Sequence, residues 1–599
     1  MAYDHRDRDA ESIRRRIAEL PAGSISIKTI KGKEQPYLQW TEGGKTKSRY
    51  LKAAEREEVF AQVEERKRLE EELAQVERES ADAGAPPYPA MEFETNCLTG
   101  RALERFISFV EGWEVRSCFP ALEGYLCSPN DGKVLILYGL RRTGKSTMVR
   151  QAILRMSVQQ RSLAAYVTVS PSDTLASLNR DLRKLSDAGF KYVFVDEVTM
   201  LDDFVESASL FSDVYAAMGM KVVLSGTDSL GFLFSEDEQL YDRCTFIHTT
   251  FVSYSEFERV LGIHGVDEYI EYGGTMSMGG VDYNAASPFA TAASAGAYVD
   301  SAIARNIQHS LKCYQHGGHF RQLQELYDAG ELTSAINRVI EDVNRRFTVS
   351  VITCEFASND LAISAANLRR GPNSPSGVLD RVDVAGVTDR LRRALDILNA
   401  DERIVPVDEA SAAEIKEYLD LLDLTVEIPL VDASNYNIKR SRTAVSQPGL
   451  RYAQAKELVT SLLADDEFRA ISLAERNAVT ERILSEVRGR MLEDVVLLET
   501  AIANPGAEVF KLQFPVGEYD MVVFWPERGS CEIYEVKHSA EEHAAQRRHL
   551  LNEEMLRAVE LRFGAIERRV VLYRGEGRMV EGVSYVNVEE YLIHCCRGA

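Results

Sequence analysis

The sequence predicts an α/β protein in which a parallel sheet covered by helices is followed by a mostly helical region and a second α/β unit. Short apolar strands alternate with helical segments between residues 93 and 262, and a second group of strand-like segments runs from about 450 to 599. A length of 599 residues agrees with several domains, because it exceeds what one hydrophobic core usually serves.

Changes in composition divide the chain into six predicted segments. They are 1–52, a basic β-meander module; 53–80, a charged helix; 81–92, a linker; 93–262, the parallel-sheet domain; 263–445, the helical region; and 446–599, the second α/β domain. In the helical region, a helix near 410–422 followed by TVEIPLV is compatible with a winged helix.

The composition narrows the class of protein. Hydrophobic residues make up 45% of the chain and charged residues 27%, which is ordinary for a globular protein. We expect no membrane span, because no run of eighteen apolar residues occurs, and no secretory signal, because MAYDHRDRDAESIRRR lacks an apolar stretch. Nine scattered cysteines without a Cys-x-x-Cys pair fit reduced thiols and predict a cytoplasmic protein.

The charge distribution singles out residues 23–52. The net charge of −23 opposes long-range attraction to nucleic acid, so any DNA contact needs a local basic surface. Residues 23–52 carry seven basic and two acidic residues and include the strand-like segments SISIKTI, QPYLQWT and KTKSRYL. This module is the predicted DNA-binding element. We interpret the charged helix that follows as a solvated surface, with a partner-binding seam as the alternative.

A phosphate-binding motif lies in KVLILYGLRRTGKSTMVR, residues 133–150. Gly-x-x-x-x-Gly-Lys-Ser stands here between an apolar strand and a helix, which is the context the motif requires. Gly139 and Gly144 allow the backbone N–H groups to face phosphates, Lys145 reaches the β- and γ-phosphates, and Ser146 ligates Mg²⁺. The predicted ATP-binding residues are Gly139, Leu140, Arg141, Arg142, Thr143, Gly144, Lys145, Ser146 and Thr147.

An acidic pair follows the strand-like segment KYVFV. Asp196 is predicted to hold Mg²⁺ through water, and Glu197 to polarise the attacking water. Ser225 and Thr227, after the next strand, are candidates to sense the γ-phosphate.

Arg243 is a candidate for neutralising transition-state charge. It would act either in cis or from a neighbouring subunit of a homo-oligomer. The alternative is a surface arginine paired with Asp242.

A second acidic constellation occurs in GEYDMVVFWPERGSCEIYEVKH, residues 517–538. Asp520 lies in one predicted strand, and Glu535 and Lys537 lie on one face of the next. Two carboxylates suit Mg²⁺ or Mn²⁺, and the lysine can activate water or stabilise a pentavalent phosphate. The alternative is an exposed Glu535–Lys537 ion pair on a non-catalytic sheet, and on an exposed face Lys537 would contribute little to packing.

Several segments resemble one family. GLRRTGKST, VFVDEV, VVLSGTDSL, the Arg243 segment, FVSYSEF, YIEYGG and SQPGLRYAQAKELV are similar to AAA-like prokaryotic ATPases with a C-terminal domain of unknown function and restriction-endonuclease-like fold. The resemblance covers residues 93–599, and Asp242 departs from it where the family usually has glycine. The spacing of Asp520, Glu535 and Lys537 resembles the PD-(D/E)xK nuclease core, with Glu493 as the additional acid and Gln546 as in some members. The N-terminal meander and helix resemble a small module appended to other prokaryotic proteins.

Cys313, His316 and His319 could ligate a metal, but the absence of an evident fourth ligand favours a partly exposed loop.

Two functions are therefore predicted. In the first, ATP binding and hydrolysis control a nuclease-like domain that acts on nucleic acid. In the second, the protein is a nucleotide-dependent switch whose C-terminal fold binds DNA or a partner without cutting.

Overall fold

The structure is a computed structural model that describes most of the chain. It describes residues 91–227, 242–249, 251–276, 292–299, 320–357, 407–434, 439–464 and 472–595, together with pieces between 16 and 69 and single positions between 232 and 308. The predicted linker core at 81–90 and the Cys313, His316 and His319 cluster lie outside the described residues. The chain divides into two compact units, residues 1–92 with 157–162, and residues 93–156 with 163–599.

The first unit contains a three-stranded antiparallel meander. Its strands are β1 (Ser24–Ile30), β2 (Lys33–Glu42) and β3 (Lys45–Tyr50), in that order. Leu38, Leu51 and Val59 form a small core against which Ile25 packs. The apolar alternation places Ile25 and Ile27 on one face of β1. Ile27 is nevertheless 62% exposed, so the small core covers only the part of that face that carries Ile25.

The N-terminal part of the second unit is a six-stranded sheet. Its strands are β4 (Asn96–Leu98), β5 (Val134–Gly139), β6 (Ala164–Thr168), β7 (Tyr192–Asp196), β8 (Lys221–Gly226) and β9 (Cys244–Thr249). The order is β4-β6-β7-β8-β5-β9, and all neighbours are parallel except β4 and β6. The five predicted strands correspond to β5 through β9, and only the short antiparallel β4 had no predicted counterpart.

Helices surround this sheet and fill the region after it. The helices of the second unit are α1 (Gly100–Ile107), α2 (Phe119–Cys127), α3 (Lys145–Arg155), α4 (Leu175–Asp187), α5 (Phe204–Ser207), α6 (Tyr254–Leu261), α7 (Val266–Tyr272), α8 (Ala292–Val299), α9 (Arg321–Asp328), α10 (Leu332–Ala357), α11 (Glu409–Leu421), α12 (Pro448–Ala464), α13 (Leu473–Ala503), α14 (Glu553–Phe563) and α15 (Val588–Cys595). Leu135 and Leu137 of β5 are at most 1% exposed and pack under Met148 and Ile153 of α3. Burial of each such side chain contributes about 1.5–3 kcal/mol and fixes the start of α3 at the sheet edge.

The C-terminal part of the second unit is an eight-stranded mixed sheet. Its strands are β10 (Thr425–Asp432), β11 (Lys439–Val445), β12 (Glu508–Gln513), β13 (Glu518–Trp525), β14 (Ser530–Val536), β15 (Ala565–Tyr573), β16 (Arg578–Val580) and β17 (Val583–Asn587). The order is β11-β10-β12-β13-β14-β15-β17-β16. The winged-helix interpretation is not supported, because the β10–β11 hairpin after α11 pairs with β12 and extends this sheet. The sheet therefore begins at Thr425, before the predicted boundary at 446.

Two helices after β9 are completed by residues from the C-terminal part. The Glu499 carboxylate of α13 accepts a hydrogen bond from the Tyr254 N–H at the start of α6, at 2.7 Å. The Glu589 carboxylate of α15 accepts one from the Val266 N–H at the start of α7, at 3.0 Å. The first N–H groups of a helix lack acceptors within the helix, so these contacts supply what α6 and α7 cannot supply themselves.

Among the helices that the structure describes, none is both long and apolar enough to cross a membrane.

Candidate functional sites

The loop between β5 and α3 has the backbone that phosphate binding requires. Gly139 has φ of +138°, and a Cβ there would lie 2.2 Å from the carbonyl oxygen of Thr249. Only glycine fits at this position, because the neighbouring strand β9 passes so closely. The loop then enters α3 at Lys145, and the helix N-terminus faces the space that the loop encloses.

Lys145 is buried and folded back onto its own loop. Its Nζ donates hydrogen bonds to the carbonyl oxygens of Gly139 and Leu140 at 2.8 and 2.7 Å. Burial lowers the pKa of Lys145 to about 8, although Glu197 and Asp196 act in the opposite direction. No ion pair neutralises this ammonium among the described residues, so its charge is available for an anion.

The acidic pair lies at the carboxyl end of β7, in the same row of strand ends as the loop. Asp196 is 4% exposed and accepts hydrogen bonds from the hydroxyls of Tyr166 and Ser225, at 2.5 and 2.6 Å. Glu197 has φ of +57° and accepts a hydrogen bond from the Thr227 hydroxyl at 3.2 Å. Burial raises the pKa of Glu197, while Lys145 opposes that shift. Hydroxyls, rather than cations, are thus the direct partners of both carboxylates.

The other predicted loop residues differ in exposure. Leu140 and Thr143 are buried, Arg141 and Arg142 are exposed, and Ser146 and Thr147 are half-buried at the start of α3.

Two contacts around the loop were not foreseen from the sequence. Arg116 donates to the carbonyl of Thr143 at 2.8 Å, and its guanidinium forms a buried fork with Glu256 of α6, at 2.6 Å from Nη2 to Oε2. Thr249, at the end of β9, shares a 2.8 Å hydrogen bond with the hydroxyl of Thr143. Arg116 and Glu256 are far apart in sequence, and although Glu256 lies in the segment FVSYSEF, nothing in that segment indicated its partner.

Arg243 lies at the opposite edge of the sheet. Strand β9 runs parallel to β5, with Cys244 beside Val134 and Thr249 beside Gly139, so Arg243 precedes the amino end of β9. Its guanidinium pairs with Asp213 at 2.9 Å and is about half exposed. The predicted action in cis is therefore wrong, and the role from a neighbouring subunit stays a prediction. The alternative pairing is also wrong, because Asp242 pairs with Lys133 at 2.7 Å.

The C-terminal residues converge on β13 and β14. The Nζ of Lys537 lies 2.7 Å from Asp520 Oδ2 and 2.6 Å from Glu535 Oε2, and the Val536 N–H donates to Asp520 at 2.8 Å. Asp520 and Glu535 are each 3% exposed. The expectation of an exposed strand face is wrong, because α13 and the short helices after β14 cover this part of the sheet.

Glu493 reaches the same region from α13. It is 7% exposed and pairs with Lys511 of β12 at 2.5 Å and with Arg490 at 3.1 Å. Burial raises the pKa of Glu493 most, and the negative charge of Asp520 raises it further, so the two carboxylates interact electrostatically.

The electrostatics of this cluster are those of a shared charge network. Burial opposes the ionised form of Asp520, but Lys537 and Lys511 outweigh it and hold the Asp520 pKa well below its usual range. Burial and Asp520 raise the pKa of Glu535. Burial disfavours the ammonium of Lys537, yet the surrounding carboxylates raise its pKa overall.

Two residues after β14 complete this neighbourhood. His549, which the sequence did not single out, places Nδ1 3.1 Å from Glu535 Oε1, and that contact raises the His549 pKa. The predicted Gln546 is buried, but its amide donates to Ser539 and to the carbonyl of Glu541 and accepts from the His543 N–H. Gln546 therefore fixes its own short helical turn, and its described hydrogen bonds do not reach the acidic cluster.

The comparisons with known proteins agree with the first site. A family model described as AAA domain matches residues 131–258, and a model described as Domain of unknown function (DUF6788) matches residues 4–61. No curated protein matches the chain. The match and the loop geometry together define an AAA-type P-loop ATPase domain, which implies nucleotide binding.

Solved structures with similarity to the chain include the following two proteins. The Aeropyrum pernix ORC1 protein in complex with DNA is 14% identical, with 61% of this chain and 92% of that chain covered and a TM-score of 0.19. The S. cerevisiae Hsp104–ADP complex is 12% identical, with 68% and 61% covered and a TM-score of 0.24. TM-scores this low carry no argument about the present chain.

Proposed function

We propose that this protein hydrolyses ATP and that its nucleotide state controls a C-terminal nuclease-like domain that acts on nucleic acid. One observation carries the proposal: Asp520, Glu535 and Lys537 meet within 2.7 Å in the same compact unit as the phosphate loop. The ATPase half rests on the AAA domain match, and the nuclease half rests on the chemistry of the cluster.

In the first site, each proposed role follows from position. The backbone of the loop and Lys145 bind the phosphates, and Ser146 and Asp196 hold Mg²⁺. The site fits the ion, since a hydroxyl at the start of α3 and a carboxylate at the end of β7 are the oxygen ligands that Mg²⁺ prefers. Glu197 orients water, because a carboxylate whose pKa is raised by burial is a better base than an exposed one.

In the second site, the donor set suits Mg²⁺ or Mn²⁺ in kind. Asp520, Glu535 and Glu493 are three buried carboxylates on neighbouring elements. No group of three metal-ligating side chains is assembled among the described residues, since Lys537 and Lys511 lie against the oxygens that an ion would take. A bound ion would supply charge for phosphodiester hydrolysis, while Lys537, displaced from Asp520, would face the phosphate.

The second candidate function is a nucleotide-dependent switch with a non-catalytic nuclease-like fold. The pairing of both carboxylates with Lys537 favours it, because carboxylate oxygens that already have a cation at contact distance depend less on a metal.

A cleavage assay separates the two functions. We expect the full chain to cleave a single-stranded, double-stranded or branched DNA or RNA in Mg²⁺ or Mn²⁺, with a rate that ATP changes. Asp520→Asn should abolish cleavage and leave ATP hydrolysis intact. Glu532→Gln is the matched control, because Glu532 lies on the neighbouring strand β14, which also carries Glu535, but contacts Tyr534 and Arg568.

Failure of every substrate to be cleaved, in both metals and with or without ATP, would contradict the nuclease function. The ATPase assignment would be untouched by that result.

A further inference from the structure

Helix α7 (Val266–Tyr272) and the four residues after it connect the two sites. At the phosphate-loop end, the Met276 N–H donates to the carbonyl of Arg142 at 2.7 Å. At the other end, Asp267 in the first turn of α7 contacts two residues at the carboxyl ends of β14 and β15. The path from one site to the other is therefore one short helix with a four-residue extension.

The Asp267 contacts hold the chain next to Lys537. Asp267 Oδ1 lies 2.6 Å from His538 Nε2, and Oδ2 lies 2.7 Å from Arg574 Nη1. His538 directly follows Lys537, whose N–H donates to the carbonyl of Leu572 on the adjacent strand β15. The Asp267 carboxylate thus contacts residues that follow two neighbouring strands, β14 and β15, directly beside Lys537.

A further ion pair joins α7 to the helix that carries Glu493. Glu271, in the last turn of α7, pairs with Arg488 of α13. Both ends of α7 are thereby attached to elements of the acidic cluster by charged contacts, which keep the helix in register with that cluster.

The extension after α7 is packed too tightly to move alone. Gly274 has φ of +106°, and a Cβ there would lie 2.8 Å from Cβ and 3.0 Å from Cα of Gln447. The Gly449 N–H also donates to the carbonyl of Gly273 at 3.1 Å. Thr275 is fully buried, and its hydroxyl has no hydrogen-bond partner in the described structure. An unpaired buried hydroxyl is unfavourable, so a second arrangement of this segment in which the hydroxyl is paired would gain a hydrogen bond.

We propose that Asp267 and His538 are positioning residues for Lys537, and that α7 makes the position of Lys537 depend on whether the phosphate loop holds ATP. This inference rests on the proposed function for the identity of the second site. When ATP occupies the loop, the backbone at Arg142 moves. The Met276 N–H, which donates to the Arg142 carbonyl, moves with it, and α7 moves in turn. Asp267 then shifts the end of β14 through its contact with His538. The coupling is reciprocal, so a change at Lys537 also changes ATP affinity.

Hydrogen exchange of the full chain tests the proposal without any need for cleavage. A Glu197→Gln background keeps ATP bound, and exchange of the amides of residues 530–538 is measured with and without Mg-ATP. We expect ATP to change their exchange by about fivefold or more, in the range of typical coupling between sites. Asp267→Asn should reduce that change to about twofold or less and should alter ATP affinity.

The matched control is Glu542→Gln, because Glu542 also joins two cations, Arg547 at 3.0 Å and Arg578 at 3.5 Å. It should keep the full ATP response. If Asp267→Asn lowers the melting temperature, His538→Gln removes the same contact from the other side and should give the same loss.

The outcomes separate this inference from the proposed function. An ATP response at 530–538 without cleavage of any substrate would support the connection and contradict the nuclease. Cleavage that responds to ATP while exchange at 530–538 does not change, or an equal response in the Asp267→Asn and Glu542→Gln chains, would overturn the connection.

Discussion

The two acidic sites surround a lysine in opposite ways. In the phosphate loop, Lys145 donates to backbone carbonyls while the nearby carboxylates accept from hydroxyls, so its charge has no ion-pair partner within the described part of the chain. In the C-terminal cluster, Lys537 contacts two carboxylates directly. The burial of Lys145 lowers its pKa, whereas the carboxylates around Lys537 raise its pKa. The first arrangement is prepared for an added anion, and in the second both carboxylates already have a cation from the protein.

The largest expected effect lies in the first site. Glu197→Gln keeps the size of the side chain and removes the carboxylate that orients water. We expect ATP hydrolysis to fall about 10²–10⁴-fold, with ATP binding retained. Steady-state turnover and equilibrium ATP binding check both halves of this prediction. Hydrolysis at the rate of the unchanged chain would show that another group performs this role.

The comparison predicts different stability costs for the two lysines. Lys537→Met leaves Asp520 and Glu535 buried together without their cation and should cost about 3–5 kcal/mol. Lys145→Met removes an ammonium that burial already disfavours but leaves the carbonyl oxygens of Gly139 and Leu140 without that donor, so it should cost less, about 1–3 kcal/mol. Urea unfolding of both variants measures the difference. Equal costs would remove the distinction between the sites.

The Lys537→Met chain also reports on metal binding. Mn²⁺ should restore stability if the carboxylates accept an ion, by about 2.7 kcal/mol at a concentration one hundred times its Kd. Lower pH should also restore it, because the pKa of Glu535 is raised in the folded state, so protonation favours folding as the pH falls through that value. Restoration by acid but not by Mn²⁺ would favour the switch over the nuclease.

A smaller effect concerns protons at the phosphate loop. Because the pKa of Lys145 is lowered to about 8, this lysine is mostly neutral at pH 9 without nucleotide. Phosphates favour the ammonium, so ATP binding at pH 9 should take up close to one proton and at pH 7 close to none from this group. Calorimetry in buffers of different ionisation enthalpy measures the uptake, and Lys145→Met should remove it.

The smallest and least local effect concerns the first unit. Lys47 and Arg49 of β3 are exposed, as phosphate contacts require. Deletion of residues 23–52 should weaken DNA binding and reduce its dependence on salt, with little change in ATP turnover without DNA. An unchanged salt slope would assign these residues to solubility or to a protein partner.

The sequence predicted correctly those elements whose structure depends on the local residue pattern. Strands β5 to β9 and the loop from Gly139 to Ser146 follow from apolar runs and glycine spacing, and the convergence of Asp520 with Glu535 follows from strand periodicity. The depth of that cluster did not follow, because strand periodicity does not show which tertiary contacts, here those of α13 and of the short helices after β14, cover the strand face. The Arg116–Glu256 pair and the addition of β10 to the C-terminal sheet depend on such long-range contacts too. Arg243 was misplaced because a motif gives an order along the chain and not the edge of the sheet.

The capping of α6 and α7 by Glu499 and Glu589 has a consequence for the making of the protein. A ribosome completes the ATPase sheet well before it adds either glutamate. Until then, the Tyr254 and Val266 N–H groups rely on water, and the two helices that border the phosphate loop lack acceptors that the finished chain provides. A growing chain can therefore form its nucleotide fold early, but it acquires the finished surroundings of that fold only when α15 has been synthesised.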